Sequence, residues 1–467
     1  MRFDKADFRI ERIVVGSAEI KIRSFRNRVY VEKPICEEFQ QMNIFAPEIY
    51  YQGGSINGYS LKTAPIFMPN MVGGYMPGRL GEPAGMFKGG KDVPNTIFRA
   101  LQHGYVVVAP AIRGRVLKNE AGEYIGKAPA CVVDYKAAVR YLRHFAKDLP
   151  GDVEKIITNG TSAGGALSSL MGATGNHPDY EEYLSEIGAA EERDDIFAAS
   201  CYCPIINLDN ADMAYEWQFL DVNRYHRRKM IMDEGGRPTF TPVDDDMSEL
   251  QIKTSRELAK LFPDYVNGLR LKDENGRILE LDKTGNGTFK EYMKQVVMKS
   301  AQRAMESGID ISDKGWLTVC DGKVIDVDLH EYAKDITRMK TAPAFDALTM
   351  DSAENDLFGS ETINLRHFTE YGKVNSLCGG ELAEDIVVKM LNPMNYVEDE
   401  KATKTQHWRI RHGECDRDTS LAISAMLVLK LKEQNCEVDY HSPWNVPHSG
   451  DYDLDELFAW IDEICRK

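Results

Sequence analysis

A serine lies at the centre of a short glycine-rich segment, residues 160–165, which reads Gly-Thr-Ser-Ala-Gly-Gly. Ile156 and Ile157 before it predict a strand, and the apolar spacing after it predicts a helix. Glycines on either side of such a turn leave room for the neighbouring strand and helix. Ser162 is therefore a candidate nucleophile for acyl transfer, with the first amides of the following helix facing the oxyanion.

The pattern Gly-x-Ser-x-Gly between a strand and a helix is typical of the nucleophile elbow of an α/β-hydrolase. The alternative is a glycine-rich turn with a capping serine, because the bare pattern is common by chance. The glycine-rich loop 70–78 follows the apolar run 64–68, where this fold places one oxyanion donor. We assign the two donors to the amides of Gly74 and Ala163, although an ordinary Gly-Pro turn also explains the loop.

The catalytic acid is expected beyond the penultimate strand of the sheet. Residues 407–413 predict that strand, and Asp416 lies three residues past its terminal glycine, at the spacing that the fold requires. Asp418 has nearly the same position and remains an alternative. Either carboxylate would hold the catalytic histidine in its correct tautomer and stabilise the imidazolium that forms.

The catalytic base is expected in the loop between the last strand and the last helix. His448 occupies that loop, between the predicted strand 436–441 and the predicted helix 453–465. His412 and His441, at the ends of predicted strands, compete for the role, since a lone histidine is more often structural. The chain order serine, aspartate, histidine matches enzymes with a nucleophile elbow.

Apolar runs of strand and helix type alternate along the chain as far as residue 205, which is typical of a doubly wound sheet. A largely polar stretch of about 185 residues then precedes the next sheet-like run. This is far more than the roughly 30 residues that one crossover between parallel strands needs. We therefore predict an α/β-hydrolase fold whose core comprises residues 1–205 and 392–467. A lid domain, residues 206–391, is inserted after the strand that follows the nucleophile elbow.

Three finer expectations concern local structure. Residues 13–20 are predicted to form one strand in a β-rich N-terminal segment. Residues 248–262 are predicted to form one amphipathic helix that Pro263 ends. Residues 244–246, three consecutive aspartates, are predicted to lie in a solvated loop.

Composition excludes several classes of partner. The chain has 467 residues and a net charge of −16, which argues against nucleic acid and anionic membranes. No apolar run is long enough to span a bilayer, and the N-terminus lacks the apolar core of a secretion signal. Nine cysteines without framework spacing indicate free thiols and a cytoplasmic location. We expect a monomer.

A metal site is the alternative to consider for two of these cysteines. Cys201 and Cys203 have ligand-like spacing, but no second ligand pair accompanies them, and two thiols on one face of a buried strand explain them better. Serine-based acyl transfer also needs no metal or organic cofactor, and we expect none.

Several longer motifs resemble bacterial tannases of the lactobacillus type from end to end of the chain. They are PNMVGGYMPG, GYVVVAPAIRGR, GTSAGG, ADMAYEWQF, TRMKTAPAFD, HWRIRHG, DRDTS and PHSGDYDL. The resemblance implies hydrolysis of the ester between gallic acid and an alcohol or sugar, so that the expected partner is a small galloyl ester. It also implies the triad Ser162, Asp416 and His448.

The same resemblance implies the residues that recognise the substrate. Lys340 and Glu354 from the lid, with Asp418 beside the triad acid, would contact the three galloyl hydroxyls. Ile205 would pack on the aromatic ring. The chain departs from the family at Ala353, where the family has proline, and the wall against the ring is expected to be looser there.

Two other functions are alternatives to galloyl ester hydrolysis. A feruloyl or general carboxylesterase on the same fold is the nearest alternative, and a non-catalytic binding module is a more distant one. Fungal-type tannases and feruloyl esterases carry a cysteine before the serine and another after the histidine. Here those positions hold Thr161 and Ser449, which favours the bacterial type.

Overall fold

The computed structural model describes residues 1–84, 94–232 and 238–466 of the chain. Within them, nine strands form one sheet and four others form two hairpins. The strands are β1 (Arg9–Val15), β2 (Ala18–Val29), β3 (Gln41–Pro47), β4 (Pro65–Pro69), β5 (Val106–Pro110), β6 (Asp152–Thr161), β7 (Ala198–Tyr202), β8 (Arg224–Met232), β9 (Pro238–Asp246), β10 (Leu317–Cys320), β11 (Lys323–Val327), β12 (His407–Arg411) and β13 (Glu437–His441).

The helices of the described residues follow the same chain order. They are α1 (Thr96–His103), α2 (Ala130–His144), α3 (Ala163–Ala173), α4 (Glu181–Glu186), α5 (Leu208–Gln218), α6 (Glu249–Ala259), α7 (Phe262–Leu269), α8 (Thr288–Glu306), α9 (Leu329–Ile336), α10 (Ala353–Leu357), α11 (Glu370–Val374), α12 (Asp385–Met390), α13 (Leu421–Glu433) and α14 (Leu454–Arg466). None is long and apolar enough to cross a membrane.

The large sheet has the order β1-β2-β3-β5-β4-β6-β7-β12-β13. Strands β5, β4, β6, β7, β12 and β13 run parallel to one another, and β1, β2 and β3 extend the sheet in antiparallel fashion. The central strands β4, β5 and β7 are buried along their whole length, as their continuous apolar sequences require. Their carboxyl ends meet along one edge, where polar loops follow.

The chain between β7 and β12 forms α5 to α12 and the two hairpins, β8 with β9 and β10 with β11. β7 and β12 are hydrogen-bonded neighbours in the sheet, so both ends of this long segment join adjacent strands. The segment is the region that the sequence predicts as a lid, and its limits at residues 206 and 391 stay a prediction.

Three local predictions are wrong. Residues 13–20 contain the turn of the β1–β2 hairpin, in which Val15 pairs with Ala18. The three aspartates 244–246 lie in β9, not in a loop, because strand pairing with β8 outweighs their low strand propensity. Pro263 does not end a helix but occupies the first turn of α7, where its missing N–H costs nothing.

Candidate active site

Ser162 lies at a sharp turn between β6 and α3, with φ 63° and ψ −122°. A Cβ at Gly160 would lie 2.2 Å from the Gly164 carbonyl oxygen, and one at Gly164 would lie 2.5 Å from Asn70 Oδ1. Both positions therefore need glycine for the strand and the helix to approach this closely. The strained turn places the serine side chain at the carboxyl edge of the sheet, as a nucleophile elbow does.

His448 and Asp416 come together at the same edge, on the loops that follow β13 and β12. His448 Nδ1 lies 2.8 Å from Asp416 Oδ2. Among the described residues, Ser162 Oγ makes no hydrogen bond to His448, and Cys203 Sγ lies 4.0 Å from the histidine Nε2. Catalytic hydrogen bonds are often long before substrate binds, so the contact of His448 with Asp416 is the more informative one.

Burial and charge act in opposite directions on this pair. Burial alone would raise the pKa of Asp416, but the charges of His448 and His412 and the donors around it hold that pKa below its usual value. Burial likewise disfavours the imidazolium of His448, but the Asp416 carboxylate outweighs it and raises the histidine pKa. The pair thus stabilises the protonated histidine that acyl transfer creates.

The two competing histidines occupy other environments. His412 is buried behind Asp416, with Nε2 3.8 Å from Asp416 Oδ2 and Nδ1 2.9 Å from Ser424 Oγ. His441 pairs with Asp439 on its own strand, at 3.1 Å. Of the three histidines, only His448 combines a hydrogen bond to Asp416 with a position in the loop between the last strand and the last helix.

The predicted oxyanion donors line the cleft that contains Ser162. Ala163 is the first residue of α3, so its amide belongs to the unsatisfied N-terminal turn of the helix. Gly74 and Tyr75 have φ angles of 54° and 55° and form a tight turn, which we call the oxyanion turn. A hydrogen bond of 3.0 Å from the Met76 amide to the Gly73 carbonyl closes it. Consecutive positive φ angles indicate a type I′ turn.

The cleft has a volume of about 400 Å³ and contains seven of the nine predicted site residues. Asp416 and His448 are the other two and are not among the residues that line it. The lining comprises Gly74, Tyr75, Ser162, Ala163, Ile205, Arg227, Lys340, Thr341, Pro343, Ala344, Ala347, Asp351, Ser352, Ala353, Glu354 and Asp418. A cleft of this size can enclose a small aromatic acyl group.

Two carboxylates and one ammonium group, those of Glu354, Asp418 and Lys340, line the same cleft as Ser162. Lys340 Nζ lies 3.5 Å from Asp418 Oδ1 and 4.0 Å from the centre of the Phe345 ring. Burial raises the pKa of Glu354, against the opposing charges of Lys340 and Arg115. Asp418 also reaches toward the triad, with Oδ2 3.9 Å from His448 Nδ1.

Buried polar contacts hold the lid side of the site in place. The Lys340 amide donates to Tyr215 Oη at 3.1 Å, and Arg338 Nε donates to the Lys340 carbonyl at 2.7 Å. Arg338 pairs with Glu216 at 2.6 Å, and both side chains are fully buried. The backbone of Lys340 is therefore fixed before any ligand arrives.

Ile205 lies at the junction of core and lid. Its amide donates to the Ser162 carbonyl at 3.2 Å, and its own carbonyl accepts from Tyr75 Oη at 2.9 Å. This buried side chain borders the cleft between the nucleophile turn and the oxyanion turn.

Cys203 lies one residue past β7, with a φ of 36°. The expectation that it shares a strand face with Cys201 is therefore wrong. The donor atoms of Cys203, Asp416 and His448 lie within 4.8 Å of one another. Asp416 and His448 already bind each other at 2.8 Å, and we assign no metal to the three groups.

Sequence reasoning named eight of the sixteen residues that line the cleft, Ala353 among them, and missed the other eight. Residues 341–347 and 351–353 flank Lys340 and Glu354 in the chain, so their proximity to those two residues was the available signal. Arg227 reaches the cleft from β8, and Arg115 approaches the oxyanion turn from the loop after β5. Arg227 belongs to no motif or periodic pattern that could have revealed it, whereas Arg115 ends the motif GYVVVAPAIRGR but was not singled out within it.

Comparison with known proteins decides the family. The crystal structure of a tannase from Lactobacillus plantarum superposes with a TM-score of 0.95 and is 43% identical, covering 99% of each chain. That of a tannase from Fusobacterium nucleatum gives 0.94 and 45%, again over 99% of each chain. The chain belongs to the tannase family. Its α/β-hydrolase fold with a lid is thereby confirmed.

Other similarities are consistent with membership of the tannases. A structure described as tannin acyl hydrolase in complex with ethyl gallate is 43% identical, with a TM-score of 0.93, over 99% of this chain and 98% of that one. The BD-FAE family model matches residues 84–227. Esterase LipQ of Mycobacterium tuberculosis is 28% identical over 108 residues, and the match covers about a quarter (24%) of that protein.

Proposed function

We propose that this protein is a serine esterase that hydrolyses galloyl esters to gallic acid and an alcohol through an acyl-enzyme. The observation that carries the proposal is a single cleft that is lined both by Ser162 and by the polar set Lys340, Glu354 and Asp418. The relative bound to ethyl gallate supports the same substrate class.

In the first half of the reaction His448 takes the proton of Ser162, whose Oγ attacks the ester carbonyl carbon. The amides of Gly74 and Ala163 receive the oxyanion that develops. When the tetrahedral intermediate collapses, His448 gives its proton to the departing alcohol. Asp416 keeps the imidazole in position and stabilises its positive charge throughout.

In the second half a water molecule replaces the alcohol. His448 removes its proton, and the hydroxide attacks the acyl carbon in the same oxyanion site. Collapse releases gallic acid and returns the proton to Ser162. Both halves use groups of this chain alone.

Recognition of the acyl group depends on the polar side chains of Lys340, Glu354 and Asp418. Adjacent phenolic hydroxyls can donate to Glu354 and Asp418, and the ammonium of Lys340 can donate to a phenol oxygen. A ring without hydroxyls offers no hydrogen-bond partner to these charged groups while it displaces water from them, which penalises its binding. Ile205 supplies an apolar contact for the ring.

A panel of methyl esters that differ only in ring hydroxyl number tests the proposal. Methyl gallate is expected to be turned over best, methyl 3,4-dihydroxybenzoate less well and methyl benzoate least. Ser162→Ala is expected to lose about 10⁴-fold or more of kcat, whereas Ser449→Ala, a serine beside His448, serves as the matched control.

Two outcomes would contradict the proposal. Equal turnover across the hydroxyl series would remove the role of Lys340, Glu354 and Asp418. Faster turnover of methyl ferulate or p-nitrophenyl butyrate than of methyl gallate would instead favour the feruloyl or general carboxylesterase.

We further propose that the enzyme acts as a monomer in the cytoplasm. All nine cysteines lie in the described residues with free thiols, which fits a reducing compartment. All the side chains assigned to the site come from one chain. Light scattering with gel filtration tests the first point, and fractionation of the producing cells tests the second.

A further inference from the structure

Arg115 touches both the oxyanion turn and the lid. Its Nε donates to the Gly74 carbonyl at 2.9 Å, and its backbone amide donates to the Tyr75 carbonyl at 3.0 Å. Its Nη1 forms an ion pair with Asp356 of the lid helix α10. The Arg115 side chain is 17% exposed and that of Asp356 12%, so both groups are largely shielded from solvent.

The oxyanion turn needs such an anchor. Apart from its two chain neighbours, none of the described residues has an atom within 4 Å of a Cβ built on Gly74, so the turn is held by its own Met76–Gly73 hydrogen bond and by the contacts of Arg115 rather than by packing around Gly74. Its N–H and its carbonyl belong to neighbouring peptide groups, and a donor fixed on the carbonyl limits how far the N–H can rotate. A glycine without that restraint samples many orientations.

Asp356, the lid partner of Arg115, lies close in the chain to Glu354, one of the polar residues of the cleft. Asp356 is two residues beyond Glu354 on the five-residue helix α10. Lys127 also binds Asp356, and it donates to the Asn364 carbonyl at 3.0 Å. Movement of α10 toward or away from a ligand therefore acts on the guanidinium that holds Gly74.

We propose that Arg115 is a positioning residue that couples α10, which carries Glu354, to the oxyanion turn, so that binding of a hydroxylated ring orders the Gly74 amide for catalysis. The inference rests on the proposed function and deepens it. If Arg115 has this role, the ring hydroxyls raise kcat as well as affinity, because part of their binding energy is used in the transition state.

The test measures kcat and KM separately for methyl gallate, methyl 3,4-dihydroxybenzoate and methyl benzoate. In the wild type, kcat is expected to rise with hydroxyl number. Arg115→Lys is expected to lower kcat for methyl gallate by about ten- to a hundredfold and to flatten that dependence. A single ammonium cannot reproduce the guanidinium fork that spans two partners. KM for methyl gallate is expected to stay within about threefold, since the Glu354 and Lys340 side chains remain.

Two further variants keep the result interpretable. Asp356→Asn breaks the ion pair but leaves the Arg115 contact with Gly74, and it is expected to flatten the same kcat series. Arg99→Lys changes an arginine of the core surface that pairs with Asp455 and is expected to keep the wild-type series. Thermal unfolding of each variant shows whether the fold is retained.

The inference fails if folded Arg115→Lys and Asp356→Asn keep the wild-type dependence of kcat on hydroxyl number. It also fails if the wild type prefers methyl gallate through KM alone. A wild type with no preference for methyl gallate overturns the proposed function itself, which is a different outcome from loss of the coupling.

Discussion

The two halves of the cleft are held by different physical means. On the core side, Ser162, Asp416 and His448 stand on loops at the ends of three strands of the sheet, β6, β12 and β13, whose backbone ladders set their spacing. On the lid side, Lys340 lies in irregular chain whose backbone is held by buried polar contacts, and Glu354 lies on the short helix α10. If the proposed roles are right, the reaction depends on sheet register and substrate choice depends on a polar network.

The first way to test this difference is to remove the acid on the core side. Asp416→Asn is expected to lower kcat by about 10³- to 10⁴-fold, because the histidine loses the partner that fixes its tautomer. His448 must be neutral to accept a proton, so wild-type kcat/KM is expected to fall as pH drops through its raised pKa, above the usual 6.5. In the variant that acid limb is expected to move to lower pH.

Full pH profiles of kcat/KM for methyl gallate check this expectation. Asp455→Asn changes an exposed carboxylate of α14 and is the control. An acid limb at the same pH in Asp416→Asn and in the wild type would mean that Asp416 does not set the histidine's charge.

Much of the core side could be predicted from the sequence. The fold places chemistry just past the carboxyl ends of parallel strands, so Ser162 after β6 and the loops bearing Asp416 and His448 after β12 and β13 follow from local pattern. Spacing favoured Asp416 as the acid but left Asp418 open, because the two carboxylates are only two residues apart.

The lid side could not be predicted in that way. Lys340 and Glu354 came from family resemblance, since a lysine and a glutamate in a polar segment are indistinguishable from surface charges. Arg338 and Glu216, which fix the backbone there, are 122 residues apart in sequence and fully buried. Tertiary pairing of this kind leaves no periodic signal, and the same applies to the β8–β9 hairpin and the aspartates within it.

The second test removes the central carboxylate of the lid network. Asp346 accepts hydrogen bonds from the Asn355 and His367 side chains, at 2.7 Å each, and from the backbone and hydroxyl of Thr369. Asp346→Asn is expected to cost about 3 kcal/mol of unfolding free energy, because buried donors lose a charged acceptor.

Urea unfolding followed by fluorescence measures that cost. Asp326→Asn, which removes an exposed lid carboxylate paired with Lys294, is expected to change the unfolding free energy by less than about 0.5 kcal/mol. Equal stability of Asp346→Asn and the wild type would show that the network does not hold the lid loop.

The third and smallest expected effect is on substrate binding alone. Lys340→Met is expected to raise KM for methyl gallate by about ten- to a hundredfold, because a phenol oxygen and Asp418 lose their shared donor. For methyl benzoate kcat/KM is expected to change by less than about threefold. Lys334→Met changes an exposed lid lysine that pairs with Glu331 and is the control. An equal loss of kcat/KM on both esters in Lys340→Met would mean that Lys340 supports the structure and does not recognise the ring.

The adjacency of β7 and β12 has a consequence for how this enzyme can change. The segment between them leaves and rejoins the sheet at neighbouring strands, with the Cys203 amide 2.6 Å from the Arg411 carbonyl just beyond the paired region. Because β7 and β12 run parallel, the segment leaves the sheet at the carboxyl end of β7 and must return to the amino end of β12, at the opposite edge of the sheet. An exchange of this segment among relatives must therefore keep the stretch that crosses back to the amino edge, and can then alter the lid side of the cleft while the sheet stays unchanged.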